Sequence, residues 1–212
     1  MEKLYCELTN REGQLDLLVC NAGIAGPKAP AEAGDATGTE LRSLLWQTED
    51  PAAWSGVFNT NVTSVYFTTI NFLPLLEATS RKEHMTGNVI VISSMSGIMH
   101  HSQGHFSYNA AKGATIHLTR LMSTEFEKTG VRVNSIAPGY FPSEMTTGES
   151  DEKQKSLLPD EKVLSKGHPV PIGRAGSDEE MAQACLFLAK NRYVNGEIIV
   201  VDGGVLNQVP GR

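Results

Sequence analysis

Four short runs of apolar, largely β-branched residues punctuate the chain: Leu15–Cys20 (LDLLVC), Asn88–Ser93 (NVIVIS), Val131–Ile136 (VRVNSI) and Ile198–Val201 (IIVV). Each is bounded by Gly, Pro, Asn or Asp, which predicts strands, the most uniform of them buried on both faces. Between them, apolar positions recur at helical spacing. Trp54–Thr79 carries Val57, Phe58, Val62, Val65, Tyr66, Thr69, Phe72, Leu73 and Leu76. Tyr108–Lys128 carries Ala111, Ala114, Leu118, Leu121, Met122 and Phe126. A third helix is expected from about Asp178, with Ser177 as N-cap and Glu180 completing a capping box. Strand alternating with helix implies βαβ units, hence an α/β fold with a doubly wound parallel sheet.

Two segments interrupt this alternation, residues 24–52 and 139–171. The first is rich in Pro, Gly and Ala over Gly26–Asp50 and reads as loop with a short helical piece. The second starts at Gly139, is polar, and reads as an excursion beyond the third strand. Long loops within a domain are usually functional or mobile. Ligands of open α/β sheets bind outside the carboxyl ends of the strands. The first three strand ends run into Asn21-Ala22-Gly23, Ser93-Ser94 and Pro138-Gly139, so these corners are expected side by side around one crevice.

Right-handed crossovers in one direction place the connecting helices on one face of the sheet. The other face, and the outer edge of Leu15–Cys20, then need cover, because a bare apolar edge invites aggregation. Met1–Gly13 is too short to supply it, and no glycine-rich phosphate loop of the G-x-G-x-x-G kind occurs. The expectation is a single partial domain over residues 1–212, lacking its first βαβ units.

Composition narrows the partners. With 40% apolar and 20% charged residues, the chain is globular rather than disordered. The net charge of -6 and the absence of a basic stripe argue against nucleic acid. No apolar run reaches the roughly 18 residues needed to span a bilayer. Cys6, Cys20 and Cys185 are scattered, as reduced thiols of a cytoplasmic protein would be.

The chemistry centres on Tyr108 and Lys112, at i and i+4 near the start of a helix and so on one face. A free phenol, with a pKa near 10, is a poor acid–base catalyst at neutral pH. A close ammonium favours phenolate, and a lowering by about 2–3 units would poise Tyr108 for proton transfer. The pair alone is a weak pattern. Ser94 strengthens it, because a hydroxyl closing the neighbouring strand can donate to a substrate oxygen as charge develops there. Ser93 is its competitor, and either could simply cap the next turn.

In order along the chain stand LLVCNAG, WSGVFNTNV, VISSMSG, YNAAK, VRVNSIAPG, PIGRAG and NGEIIVVDGG. From Leu15 to Gly204 the sequence resembles the short-chain dehydrogenase/reductase family, whose fold is Rossmann-like. APGYFPSEMT followed by PIGRAG most resembles the 3-oxoacyl reductase branch, which includes rhamnolipid-biosynthesis reductases and fungal relatives. The resemblance implies hydride transfer between NADP, or NAD, and a small carbonyl or secondary alcohol. It casts Tyr108 as acid/base, Lys112 as its partner and ribose ligand, and Ser94 as the group polarising the substrate oxygen. It gives Asn61 a water that joins Lys112 to solvent; without the family, Asn61 reads as a polar residue at a helix kink. It places Asn21, Ala22 and Gly23 along the cofactor, and Pro138, Gly139, Phe141 and Ser143 at its nicotinamide end. Cys20 replaces the first Asn of the family's Asn-Asn-Ala-Gly and reads as packing. Homo-oligomers are common in the family.

Other features are weaker. His100, His101 and His105 crowd the loop before Tyr108 and read as surface or pocket residues rather than metal ligands. Met95 and Met99 suit a pocket wall or the core equally. The acidic run Gly148–Lys155 reads as solvated. A hydrolase using Ser94 lacks a suitable histidine and acid. The absent phosphate loop sets up the alternative to an oxidoreductase: a catalytically impaired remnant acting as a non-enzymatic partner of longer relatives.

Overall fold

In the computed structural model, which describes residues 1–30, 37–153, 155–164 and 170–209, the four apolar runs are four parallel strands. These are β1 (Leu17–Cys20), β2 (Asn88–Ile92), β3 (Arg132–Pro138) and β4 (Ile198–Val201), hydrogen-bonded in the order β1-β2-β3-β4. The register aligns Cys20 with Val91 and Ile92 with Ile136, so the carboxyl ends of β1 to β3 lie together as expected. Three strands differ from their sequence-based bounds: β1 begins at Leu17 rather than Leu15, β2 ends at Ile92 rather than Ser93, and β3 runs from Arg132 on to Pro138 rather than from Val131 to Ile136.

Eight helices are described: α1 (Glu2–Arg11), α2 (Gly38–Thr48), α3 (Pro51–Phe58), α4 (Ser64–Ser80), α5 (Phe106–Glu125), α6 (Glu144–Thr147), α7 (Asp160–Leu164) and α8 (Asp178–Lys190). One face of the sheet packs Val89, Val91, Val131 and Val133 against Val65 and Leu76 of α4 and Met122 of α5. Burying each such valine contributes about 1.5–3 kcal/mol. The other face sets Ile90 and Ile136 against Leu188 of α8. Ser177 and Glu180 form the expected capping box of α8, and Arg174 adds two bonds to the Glu180 carboxylate. Glu180 is thereby held at a pKa of about 2, chiefly by Arg174.

The helix expected over Trp54–Thr79 is not uniform. Asn59–Thr63 forms a π-turn between α3 and α4. The segment after β1 holds more regular structure than expected, an eleven-residue α2 with a Thr37–Glu40 capping box. The excursion after β3 carries α6 and α7 and buries Leu158 and Val163, while its acidic residues Glu149, Asp151 and Glu152 are exposed. Helix α1 packs on α4 rather than along β1. Among the described residues, the outer edge of β1 has no strand partner, and Val19 is 43% exposed. No described helix is long and apolar enough to cross a membrane.

Candidate active site

The site is built on the adjoining ends of β2 and β3 and the first turns of α5. After β2 the two serines part company. The Ser93 hydroxyl donates to the Ile136 carbonyl at 3.0 Å and accepts from Ser135 at 2.7 Å, stitching β2 to β3. Ser94 Oγ accepts the Ser96 N–H at 3.1 Å, opening a 3₁₀ turn over Met95–Gly97, and is also hydrogen-bonded to the Tyr108 phenol. Ser94 is therefore both the turn cap and the hydroxyl facing Tyr108. Gly97 allows this approach, since a Cβ there would lie 2.5 Å from the Lys112 carbonyl carbon.

Lys112 is 3% exposed, and its Nζ sits 5.7 Å from the centroid of the Tyr108 ring, one turn further along α5. Its ammonium donates to the Ile92 carbonyl at 2.8 Å. Burial pulls Lys112 down from 10.5 to about 8. The expected lowering of the Tyr108 pKa does not hold in this structure. Burial pushes the phenol up, and the bond with Ser94 offsets only part of that. The i, i+4 spacing places the amine correctly but carries no information about desolvation, which here outweighs the other effects.

Asn61 lies in the π-turn and is 1% exposed. Its side chain clamps the backbone of Ile24, accepting the N–H and donating to the carbonyl, each at 2.9 Å. Its own carbonyl accepts from Thr115 at 2.9 Å. The Asn21-Ala22-Gly23 segment is thus held at the end of β1, with Asn21 and Ala22 exposed. A Cβ on Gly23 would lie 3.1 Å from Asn61 Oδ1, 3.5 Å from Lys112 Nζ and 4.0 Å from Met145 Cε. Gly23 therefore joins this segment to Asn61 and Lys112 and brings α6 over it.

On the β3 side, Gly139 packs on Asp202, with a would-be Cβ 2.6 Å from its Cα. The Phe141 ring lies on Gly176, where a Cβ would meet it at 2.4 Å. Ser143 is the N-cap of α6, its hydroxyl and backbone engaged with Thr146, so its side chain serves the helix first. Met95 and Met99 are 2% and 7% exposed, which decides for core over pocket wall. Cys20 is packed as expected, its thiol 3.8 Å from Thr69 Oγ1 and raised in pKa by burial. His101 accepts the Gln103 N–H through Nδ1 at 3.1 Å. Thr115 and the Ile92 carbonyl were not anticipated, because their roles arise from contacts distant in sequence. Asn109, which pins the carbonyls of His101 and Ser102, was also missed, although it neighbours Tyr108.

The model for a family described as enoyl-(acyl carrier protein) reductase matches residues 1–206. The chain is 35% identical over 214 residues to the short-chain dehydrogenase/reductase PhomF' of Diaporthe leptostromiformis, covering 99% of this chain and 71% of that protein. It is 35% identical over 196 residues to the 3-oxoacyl-[acyl-carrier-protein] reductase FabG of Chlamydia muridarum, covering 91% and 66%. In structure it resembles the Pseudomonas aeruginosa RhlG/NADP active-site complex, with a TM-score of 0.73 and 30% identity over 96% of this chain and 71% of that one. A gluconate 5-dehydrogenase from Burkholderia cenocepacia, in complex with NADP and tartrate, gives a TM-score of 0.73 at 27% identity over 98% and 71%. Together with the ordered motifs and the parallel sheet, these matches establish that the chain belongs to the short-chain dehydrogenase/reductase family of oxidoreductases.

Proposed function

We propose that the protein reduces a carbonyl to a secondary alcohol with NADPH, Tyr108 acting as proton donor. The observation that carries this reading is the hydrogen bond of the buried Ser94 with the half-buried Tyr108 hydroxyl, with the buried Lys112 ammonium one helical turn below. NADP rather than NAD is favoured by the cofactor present in the RhlG and gluconate dehydrogenase complexes.

The residues fit such a cofactor. The Ile92 carbonyl takes one of the three Lys112 N–H donors, and no second hydrogen-bond acceptor of Nζ is found among the described residues. A buried, under-committed ammonium beside the bare backbone of Gly23 suits ribose hydroxyls. Asn21, Ala22, Gly23 and Lys112 would hold the ribose side; Pro138, Gly139, Phe141 and Ser143 would border the nicotinamide. When bound, the nicotinamide supplies the hydride.

The protein's own part is proton handling and orientation. The substrate oxygen sits between the Ser94 and Tyr108 hydroxyls, which donate to it as negative charge develops. Because burial raises the phenol, Tyr108 carries its proton at neutral pH, the state required of a general acid. As Tyr108 releases that proton, the ammonium of Lys112 stabilises the phenolate. With a pKa of about 8, Lys112 is charged about ten to one at pH 7 yet able to pass a proton on. Asn61 contributes by fixing Ile24, and with it the wall formed by Gly23.

NADPH oxidation with a panel of ketones tests the reading, Tyr108→Phe serving as control. Turnover abolished in that variant supports it. Well-folded protein with neither turnover nor NADPH binding would contradict it.

A further inference from the structure

The loop between Ser94 and α5 is fixed by specific bonds rather than by regular structure. Asn109 Nδ2 donates to the carbonyls of His101 at 3.0 Å and Ser102 at 3.1 Å. The Gly104 carbonyl accepts the Ala29 N–H at 2.7 Å, and a Cβ on Gly104 would lie 2.3 Å from the Ala29 oxygen. Within this frame Gln103 is held at φ 53°, a left-handed conformation that non-glycine residues seldom adopt. From there its side chain reaches the segment after β3, where Nε2 donates to the Tyr140 hydroxyl at 2.7 Å.

Tyr140 directly follows Pro138-Gly139 at the carboxyl end of β3. Its ring packs against the cluster containing Met95 and Met99, and Met95 directly follows Ser94. Its carbonyl accepts the Gly176 N–H at 2.9 Å. The bond therefore spans from the loop leading to Tyr108 to the loop leaving β3, beside the end of β2.

We propose that Gln103 and Tyr140 form a latch across the crevice that fixes the Tyr140 ring as a wall and so limits the size of the ketone substituent accepted. Gln103 is a positioning residue acting through Tyr140, and the proposal rests on the carbonyl-reducing reading above. Without the amide donor the Tyr140 hydroxyl loses this bond to the loop before α5, and the ring is less narrowly fixed against the Met95–Met99 cluster. Bulky ketones then gain relative to small ones.

The test uses the full chain labelled with ¹³Cζ-tyrosine, the Tyr140 signal being identified by its loss in Tyr140→Phe. Gln103→Leu is expected to move that signal and leave those of the other tyrosines in place. The same proteins are assayed with NADPH and two keto esters, ethyl acetoacetate and ethyl benzoylacetate. The kcat/KM ratio is expected to shift toward the phenyl ketone by about tenfold in Gln103→Leu and in Tyr140→Phe, roughly what one ordinary hydrogen bond controls. The KM for NADPH should not change. An unmoved Tyr140 signal in Gln103→Leu overturns the latch, as does a moved signal with an unchanged ratio. If the folded wild type reduces neither ester, the specificity role falls with the reductase reading; a moved signal in that case shows that the bond exists and that the reading of function failed.

Discussion

Lys112 should cost the fold stability that the active site needs. Its pKa falls from 10.5 to about 8 on burial, and none of the described ion pairs includes it. At about 1.4 kcal/mol per pH unit, keeping the ammonium charged at pH 7 costs about 3 kcal/mol. The sign follows from proton counting. Between pH 8 and 10.5 the unfolded chain binds the proton that the folded chain has lost, so stability rises with pH through that window. Lys112→Met keeps an unbranched stem and removes the charge, but forfeits the bond to the Ile92 carbonyl, worth about 1 kcal/mol. The variant should be more stable by about 2 kcal/mol at pH 7, or roughly 4–8 °C in Tm for a chain of this size. Its carbonyl reduction should fall by about 10²–10⁴-fold. Urea unfolding of both proteins at pH 7 and pH 10 measures this. The wild type should gain stability between the two pH values, and the variant should lack the share due to Lys112. A variant less stable than the wild type at pH 7, or the same pH dependence in both, would refute the reasoning.

Four further outcomes follow from particular contacts. Ser94→Ala should lower kcat by about 10²-fold and, because it also removes the cap of the Met95–Gly97 turn, cost about 1 kcal/mol in urea melts, whereas Ser93→Ala should cost about 1–3 kcal/mol with kcat little changed, because it leaves the buried Ser135 hydroxyl without that partner. Arg132→Met should destabilise by about 2–4 kcal/mol in urea melts, since the guanidinium of Arg132, a residue only 5% exposed, holds the carbonyls of Leu188 and Val194. Gly176→Ala must displace the Phe141 ring, so NADPH affinity by fluorescence titration should weaken while the far-UV spectrum stays unchanged; undiminished affinity would remove Phe141 from the proposed cofactor contacts.

How legible each part was depended on the range of the contacts that define it. β2 and β3 stood out because strands buried on both faces admit little but apolar and small residues, and Val89, Val91 and Val133 are fully buried. The capping boxes at Thr37 and Ser177 are local, so the second was expected, and the first was readable in Thr37-x-x-Glu40 but was masked by the Pro, Gly and Ala around it. The kink at Asn61 was readable from a polar residue within an apolar helix, but its clamp on Ile24, distant in the chain, left no local signal. The choice of Ser94 over Ser93 depends on which way each hydroxyl turns at the strand end. The direction of the Tyr108 shift depends on burial, which helical spacing does not encode. The Gln103–Tyr140 bond joins two loops and is invisible in either alone.

The central claim is hydride delivery to a carbonyl carbon with the proton supplied by Tyr108. NADPH carrying deuterium at C4 of the nicotinamide, incubated with a keto ester and the folded protein, tests it most directly through mass spectrometry of the alcohol. The account predicts one deuterium on the carbinol carbon with the wild type and none above background with Tyr108→Phe. Labelled alcohol from Tyr108→Phe at the wild-type rate, or no labelled alcohol from a wild type that binds NADPH, would contradict it.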